Sequence, residues 1–159
     1  MKRLSFLIIV GCVLLAGDAR AAGAVAGGFA PLFAGDNLDG WKVSDWSNLT
    51  APQKVEGTPW KIENGVLYGL NKRTWIFSPK EYGDFVLKLE TMITRGSNGG
   101  IGLRFPPDGD PAYAAMEIQV VDQEVYYGGS SQPNQRTGSI YDEIAPSKEV
   151  LKPVGEWNS

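Results

Sequence analysis

From Trp60 onward the chain alternates apolar and polar residues with a period of two, the spacing of side chains on a β-strand. Trp60-Lys61-Ile62-Glu63 alternates, Asn64-Gly65 is the strongest short hairpin signal, and Val66-Leu67-Tyr68 returns. Thr74-Trp75-Ile76-Phe77 reads as a short apolar strand stopped by Pro79. Asp84 to Ile93 reads as the longest strand, with Phe85, Leu87 and Leu89 inward and Lys88 and Glu90 outward. Strands over Asn98 to Phe105 and Ala114 to Val121 follow, then a Gly/Ser/Pro/Asn/Gln loop from Gly128 to Gln135, then a strand from Thr137 to Tyr141. Upstream, residues 44 to 59 lack a sustained period and read as a long loop. Gly35-Asp36-Asn37-Leu38-Asp39-Gly40 reads as a turn that lets Phe33 and Trp41 enter the core; its Asp spacing does not fit an EF-hand. No run is long enough for a substantial helix and no segment repeats. Many short strands separated by turn signals indicate an all-β sandwich or jelly roll whose core is largely aromatic.

Two of these strands differ from the rest. In Asn98-Gly99-Gly100-Ile101-Gly102-Leu103-Arg104-Phe105, alternation points Ile101, Leu103 and Phe105 to one face and Gly100, Gly102 and Arg104 to the other. In Met116-Glu117-Ile118-Gln119-Val120-Val121-Asp122 the apolar face is Met116, Ile118 and Val120, and the polar face is Glu117 and Gln119. If the two strands pair, Arg104, Glu117 and Gln119 meet on a floor of glycine backbone that a flat, hydroxyl-rich molecule can approach closely. The competing expectation is a cross-strand ion pair with glycine marking a bulge.

The N-terminus changes the picture of where this domain works. Lys2 and Arg3, an apolar run from Leu4 to Leu15 and Ala19-Arg20-Ala21 form the pattern of an export signal over residues 1–21, with residues 22–31 as a flexible Ala/Gly-rich leader. The apolar run is short for a membrane span. A lipoprotein signal ending at Cys12 ranks second, because the chain stays apolar through Val13, Leu14 and Leu15. The expected destination is the periplasm or the exterior, with no membrane attachment after cleavage. Removing the signal takes away three of 15 basic and one of 18 acidic residues, leaving 12 against 17 and a net charge of about −5. That balance argues against a nucleic-acid partner. The chain has no histidine and one cysteine, and the cysteine leaves with the signal. Imidazole bases, thiolate nucleophiles and His/Cys zinc sites are therefore excluded from the processed domain, and catalysis falls to carboxylates, Tyr, Lys, Arg, hydroxyls or an oxygen-liganded cation.

Seven blocks then carry a resemblance: Leu32-Phe33-Ala34-Gly35-Asp36-Asn37-Leu38-Asp39-Gly40-Trp41; Trp60 with Asn64-Gly65-Val66-Leu67; Tyr82-Gly83-Asp84-Phe85 with Leu87; Asn98 to Arg104; Glu117 to Asp122; Thr137-Gly138-Ser139-Ile140-Tyr141; and Gly155-Glu156-Trp157-Asn158. In this order they resemble the 3-keto-disaccharide hydrolase family of secreted bacterial domains, from Leu32 to the end of the chain. The resemblance implies a concanavalin A-like jelly-roll β-sandwich over residues 32–159. Gly99 stands where the family usually has Ser, and Ala34 where it usually has Asn. Ser159 falls inside a block that normally leads into further strands, so a C-terminally truncated domain with unpaired sheet edges is expected.

The resemblance also implies hydrolysis of glycosidic bonds in sugars oxidised at C3. A C3 ketone acidifies the C2 hydrogen, so a base removes it, the glycosidic oxygen leaves C1, and water adds to the enone. On this reading Arg104 stabilises the developing oxyanion, Glu117 is the base or its partner, and Asn98 and Gln119 contact sugar hydroxyls over Gly100. Asp122 is either a second acid/base or a turn residue, since alternation puts it opposite Glu117 unless the strand ends or bulges after Val121. Tyr141 closes the pocket by stacking on the sugar, or sits as a tyrosine at the core rim. No cofactor is called for, although a calcium ion held by Asp and Glu oxygens would suit the alternative function, a non-catalytic carbohydrate-binding module. A two-carboxylate glycosidase is a third class, for which Glu117 and Asp122 would have to flank the bond. Each class takes a small-molecule carbohydrate.

Overall fold

A computed structural model of the chain describes residues 2–9, 13–15, 29–33, 37–45, 53–54, 60–69, 74–105 and 115–159. Among them there are eleven strands, no α-helix and one 3₁₀ turn at Pro133–Gln135. The protein is all-β. A six-stranded sheet runs in the order β10 (Met116–Val121), β9 (Asn98–Phe105), β1 (Lys2–Ile9), β7 (Thr74–Tyr82), β3 (Lys42–Asp45), β4 (Gln53–Lys54). A five-stranded sheet runs β11 (Trp157–Asn158), β8 (Glu90–Met92), β2 (Val13–Leu15), β6 (Val66–Gly69), β5 (Trp60–Glu63). All pairings are antiparallel. No helix among the described residues is long and apolar enough to cross a membrane.

Both sheets contribute to one apolar cluster: Trp60 and Leu67 from the smaller, and Val43, Ile76, Ile101 and Val120 from the larger. Phe33 and Trp41 join it, stacked at 4.7 Å, delivered by a turn in which the Trp41 amide donates to the Leu38 carbonyl at 3.0 Å. The β5–β6 hairpin closes on Asn64 and Gly65, both at positive φ (54° and 74°), the two-residue turn whose twist matches its strands.

Several strands depart from the alternation pattern. β7 does not stop at Pro79; it continues to Tyr82, and the register slips opposite Arg3 and Ser5, which places Pro79 in an irregularity where no ladder donor is required. Only Glu90–Met92 of the expected long strand is strand. Phe85 and Val86 are exposed, while Leu87 and Leu89 still pack on the core. The reason is the ladder: β8 is paired by the three residues of β2 and the two of β11, and a backbone without a partner strand does not stay in a sheet. Within the expected 44–59 loop, β3 reaches Asp45 and β4 pairs with it; the rest of that loop and residues 22–28 of the leader lie outside the described residues.

The segment with the export-signal pattern supplies β1 and β2. Leu7 pairs with Trp75 on one side and Gly100 on the other, and Leu14 pairs with Leu67 and Thr91. Processing after Ala21 would leave β7 and β9, and likewise β6 and β8, without the strand between them.

Candidate functional site

The polar face of the larger sheet is organised in rows across paired strands, because directly opposed residues in an antiparallel ladder share a face. Gln119 opposes Gly100, and Glu117 opposes Gly102, with no slip in register along β9–β10. Continuing through β1, the first row reaches Trp75 and the second Phe77. Ile118, Ile101 and Val120 take the opposite face, in the core. Glu117 and Gln119 are nonetheless buried, at 3% and 1% exposure, so the polar face is covered.

Gly100 is required by close approach. A Cβ placed there would fall on the Glu117 carboxyl, 2.5 Å from Cγ and 2.6 Å from Cδ. The space expected to receive a flat ligand over this glycine is thus filled by the protein's own carboxylate. Glu117 leans from its position beside Gly102 over Gly100, towards the row of Gln119.

A further stretch of chain lines the outer edge of β10. Tyr141 donates its amide to the Glu117 carbonyl at 2.8 Å, and Ile140 bridges to Ile118. Opposite Gln119 two residues stand where a regular strand has one. Gly138 donates to the Gln119 carbonyl at 2.9 Å, and Gln119 donates to the Ser139 carbonyl at 3.0 Å. With Gly138 at φ +88°, this is a bulge whose first residue needs the left-handed region. Counting back from the Ile140–Ile118 bridge sets Ser139 beside Gln119 and Tyr141 beside Glu117. The Thr137 hydroxyl anchors the start, accepting from the Val121 amide at 2.9 Å and donating to the Val121 carbonyl at 2.8 Å. Ser139 is fully buried, and its hydroxyl has no hydrogen-bond partner among the described residues.

Over these rows stands Tyr127, which the sequence reading did not single out. Its hydroxyl accepts from Gln119 Nε2 at 3.2 Å and shares a hydrogen bond with the Tyr141 side chain. Tyr126 packs edge-on against its ring at 5.0 Å. Burial pushes the phenol's pKa above its ordinary value, and Tyr126 and the negative charge of Glu117 act in the same direction; the hydrogen bonds to Tyr141 and Gln119 act against it. Tyr127 is therefore a neutral phenol throughout the physiological range. The only sequence signal for it was a tyrosine pair before Gly128-Gly129, which has no periodicity to give a direction.

The residues expected at the site divide into two groups. Asn98, Gly100, Glu117 and Gln119 share one face of β9–β10, and Tyr141 joins them from the edge segment. Arg104 does not meet Glu117 and Gln119. It lies at φ +56°, half-exposed, and donates to Asp84 Oδ1 at 3.0 Å. The left-handed residue reverses the alternation, so Phe105 leaves the face of Ile101 and packs with Trp75 and Phe77, at 5.4 Å from the Phe77 ring. Full burial of a phenylalanine stabilises by about 1.5–3 kcal/mol, which offsets the roughly 1–2 kcal/mol cost of a left-handed non-glycine residue. Asp122 does not project a free carboxylate. Its Oδ2 accepts from the Gly96 amide at 2.7 Å, its Oδ1 accepts from the Glu124 amide at 3.3 Å, and its own amide donates to the Ser97 carbonyl at 2.9 Å. This is the geometry of a turn residue. No three His, Cys, Asp or Glu side chains gather among the described residues.

The arrangement is a buried carboxylate flanked by an amide, a buried hydroxyl and two linked phenols, on bare backbone. Such a set can move a proton at a carbon acid while hydrogen-bonding a polyhydroxylated ligand. Residues 28–159 match the model of a family described as the 3-keto-alpha-glucoside-1,2-lyase-like domain. No curated protein and no solved structure matches the chain. The match covers most of the chain, and the chain belongs to this family.

Proposed function

We propose, from that membership, that the chain cleaves the glycosidic bond of 3-keto-glycosides by removing the C2 proton, expelling the C1 substituent and hydrating the enone that results. The family description supports cleavage across C1 and C2, and a carbohydrate as the small-molecule partner. The observation that carries the assignment is Glu117, the buried carboxylate that lies over Gly100 beside the Gln119 amide. A carboxylate in a water-poor site is a stronger base than one in solution. Asn98 and Gln119 lie on the same face towards the sugar hydroxyls and the ketone oxygen, with Gln119 already donating to the Tyr127 hydroxyl and accepting from the Val120 amide. Arg104, paired with Asp84, has no part in this scheme, and Asp122 serves the turn. We further propose that the two sheets belong to a concanavalin A-like jelly roll and that the domain acts outside the cytoplasm, as the N-terminal pattern supports.

The test is release of free sugar from a 3-keto disaccharide beside its unoxidised parent. The unaltered chain should cleave only the keto form, and Glu117→Gln should slow cleavage by about 10²–10⁴-fold, the usual contribution of a general base. Undiminished turnover in Glu117→Gln removes Glu117 from the mechanism. Binding of both sugars without cleavage of either supports the carbohydrate-binding alternative.

A further inference from the structure

An elimination needs a second proton transfer that the base alone does not explain. As the C1–O bond breaks, its electron pair goes to the leaving sugar oxygen, and a sugar alkoxide is a poor leaving group unless it is protonated as it departs. The chain has no histidine to do this, and its one cysteine is Cys12 in the signal-like segment. The described residues on and around the Gly100 row that carry a dissociable proton at neutral pH are phenols and a serine: Tyr127, Tyr141 and Ser139.

We propose that Tyr127 is the general acid that protonates the departing glycosidic oxygen. This assignment rests on the keto-sugar reading of the site. The phenol oxygen lies 3.2 Å from Gln119 Nε2, and Gln119 opposes Gly100, over which the Glu117 carboxyl leans. The carboxyl over Gly100 and the phenol bonded to the residue opposite that glycine come from different parts of the chain, the first from β10 and the second from the loop that follows it. The half-buried Tyr127 ring links this interior to the outside, whereas Glu117 and Gln119 are buried. Tyr141, held in place by its backbone bond to Glu117, hydrogen-bonds Tyr127 through its side chain and offers a path by which a proton can return to the phenol.

The step balances without a co-reactant. The C2–H bond breaks and its proton passes to the Glu117 carboxylate, while the electron pair becomes the C1=C2 bond conjugated with the C3 ketone. The C1–O bond breaks with its pair on oxygen, and that oxygen takes the Tyr127 proton, leaving an alcohol and a phenolate. Glu117 then loses its proton to water or to the hydration step, and Tyr127 regains one by way of Tyr141 or solvent. Burial of Tyr127 keeps the phenol protonated before the reaction, as an acid must be.

The experiment compares two substrates in the full chain: a 3-keto disaccharide, whose leaving group is a sugar, and a nitrophenyl 3-keto-glucoside, whose leaving group departs without protonation. In Tyr127→Phe, kcat/KM on the disaccharide should fall by about 10²-fold or more, while the nitrophenyl substrate loses less than about tenfold. Glu117→Gln should lose both alike, and Tyr141→Phe should fall between them on the disaccharide. Retained nitrophenyl turnover also shows that Tyr127→Phe folds. Equal losses on both substrates overturn the acid and make Tyr127 a positioning residue. No loss on the disaccharide also overturns it, and assigns the proton transfer to Glu117 acting at both atoms. If the unaltered chain cleaves neither substrate, the keto-sugar reading itself falls, and the acid with it.

Discussion

The β9–β10 side of the molecule and the β7–β8 side read alike as sequence, but they are held together differently. β9 and β10 pair along an unslipped ladder and are consecutive strands in the chain. The turn after β10 is tied back by Asp122 to Gly96 and Ser97, and residues 138–141 close the outer edge. Everything that builds the candidate site comes from residues 96–141. On the other side, β7 and β8 depend on β1 and β2, which come from the far N-terminus. Contacts distant in sequence cost more loop entropy to form, so β10, its turn and the segment along its outer edge hold their geometry locally, while β7, β8 and the β1-facing edge of β9 depend on a remote partner.

Breaking the remote partner should have the largest effect. In the full chain, Leu7→Pro removes a ladder donor and forces a kink in the strand between β7 and β9; about 3 kcal/mol or more should be lost in urea unfolding. Hydrogen exchange should accelerate in β7 more than in β10. Unchanged exchange in β7 would show that β1 does not support it. Asp122→Ala strikes the local region instead, taking the acceptor from two amides; a loss of about 1–3 kcal/mol is expected, measurable as a lower urea midpoint with an unchanged slope. A loss as large as that of Leu7→Pro would erase the distinction between the two regions. Arg104→Ala should matter least. The Arg104–Asp84 pair is exposed, with the Asp84 side chain open to water, so its removal should shift stability by less than about 1 kcal/mol and by less still at high salt. A bigger shift would mean that the left-handed Arg104 itself, and with it the placement of Phe105, depends on the ion pair.

What could be read from the sequence follows the same division. The β5–β6 hairpin was legible because Asn64-Gly65 specifies both the turn and, through it, the register. β9 and the apolar face of β10 were legible because their alternation is uninterrupted up to Leu103. The floor of Glu117, Gln119 and Gly100 followed from pairing those two faces. Arg104 was misplaced because alternation assumes an unbroken strand, and one left-handed residue inverts every position after it. The 84–89 stretch was misread because a periodic pattern states which face is apolar but not whether a partner strand exists to accept the backbone.

The sequence by itself determined an all-β chain, its turn chemistry, the two strands that carry the polar face and the absence of imidazole from any mechanism, since each of these is a property of residue type or of spacing along the chain. Only the tertiary structure decided that the Glu117 carboxyl fills the space over Gly100, that Tyr127 and Tyr141 link across to Gln119, and that Asp122 spends its oxygens on a turn. Those are meetings between residues set by bulges and loop paths, and neither leaves a periodic trace in the sequence.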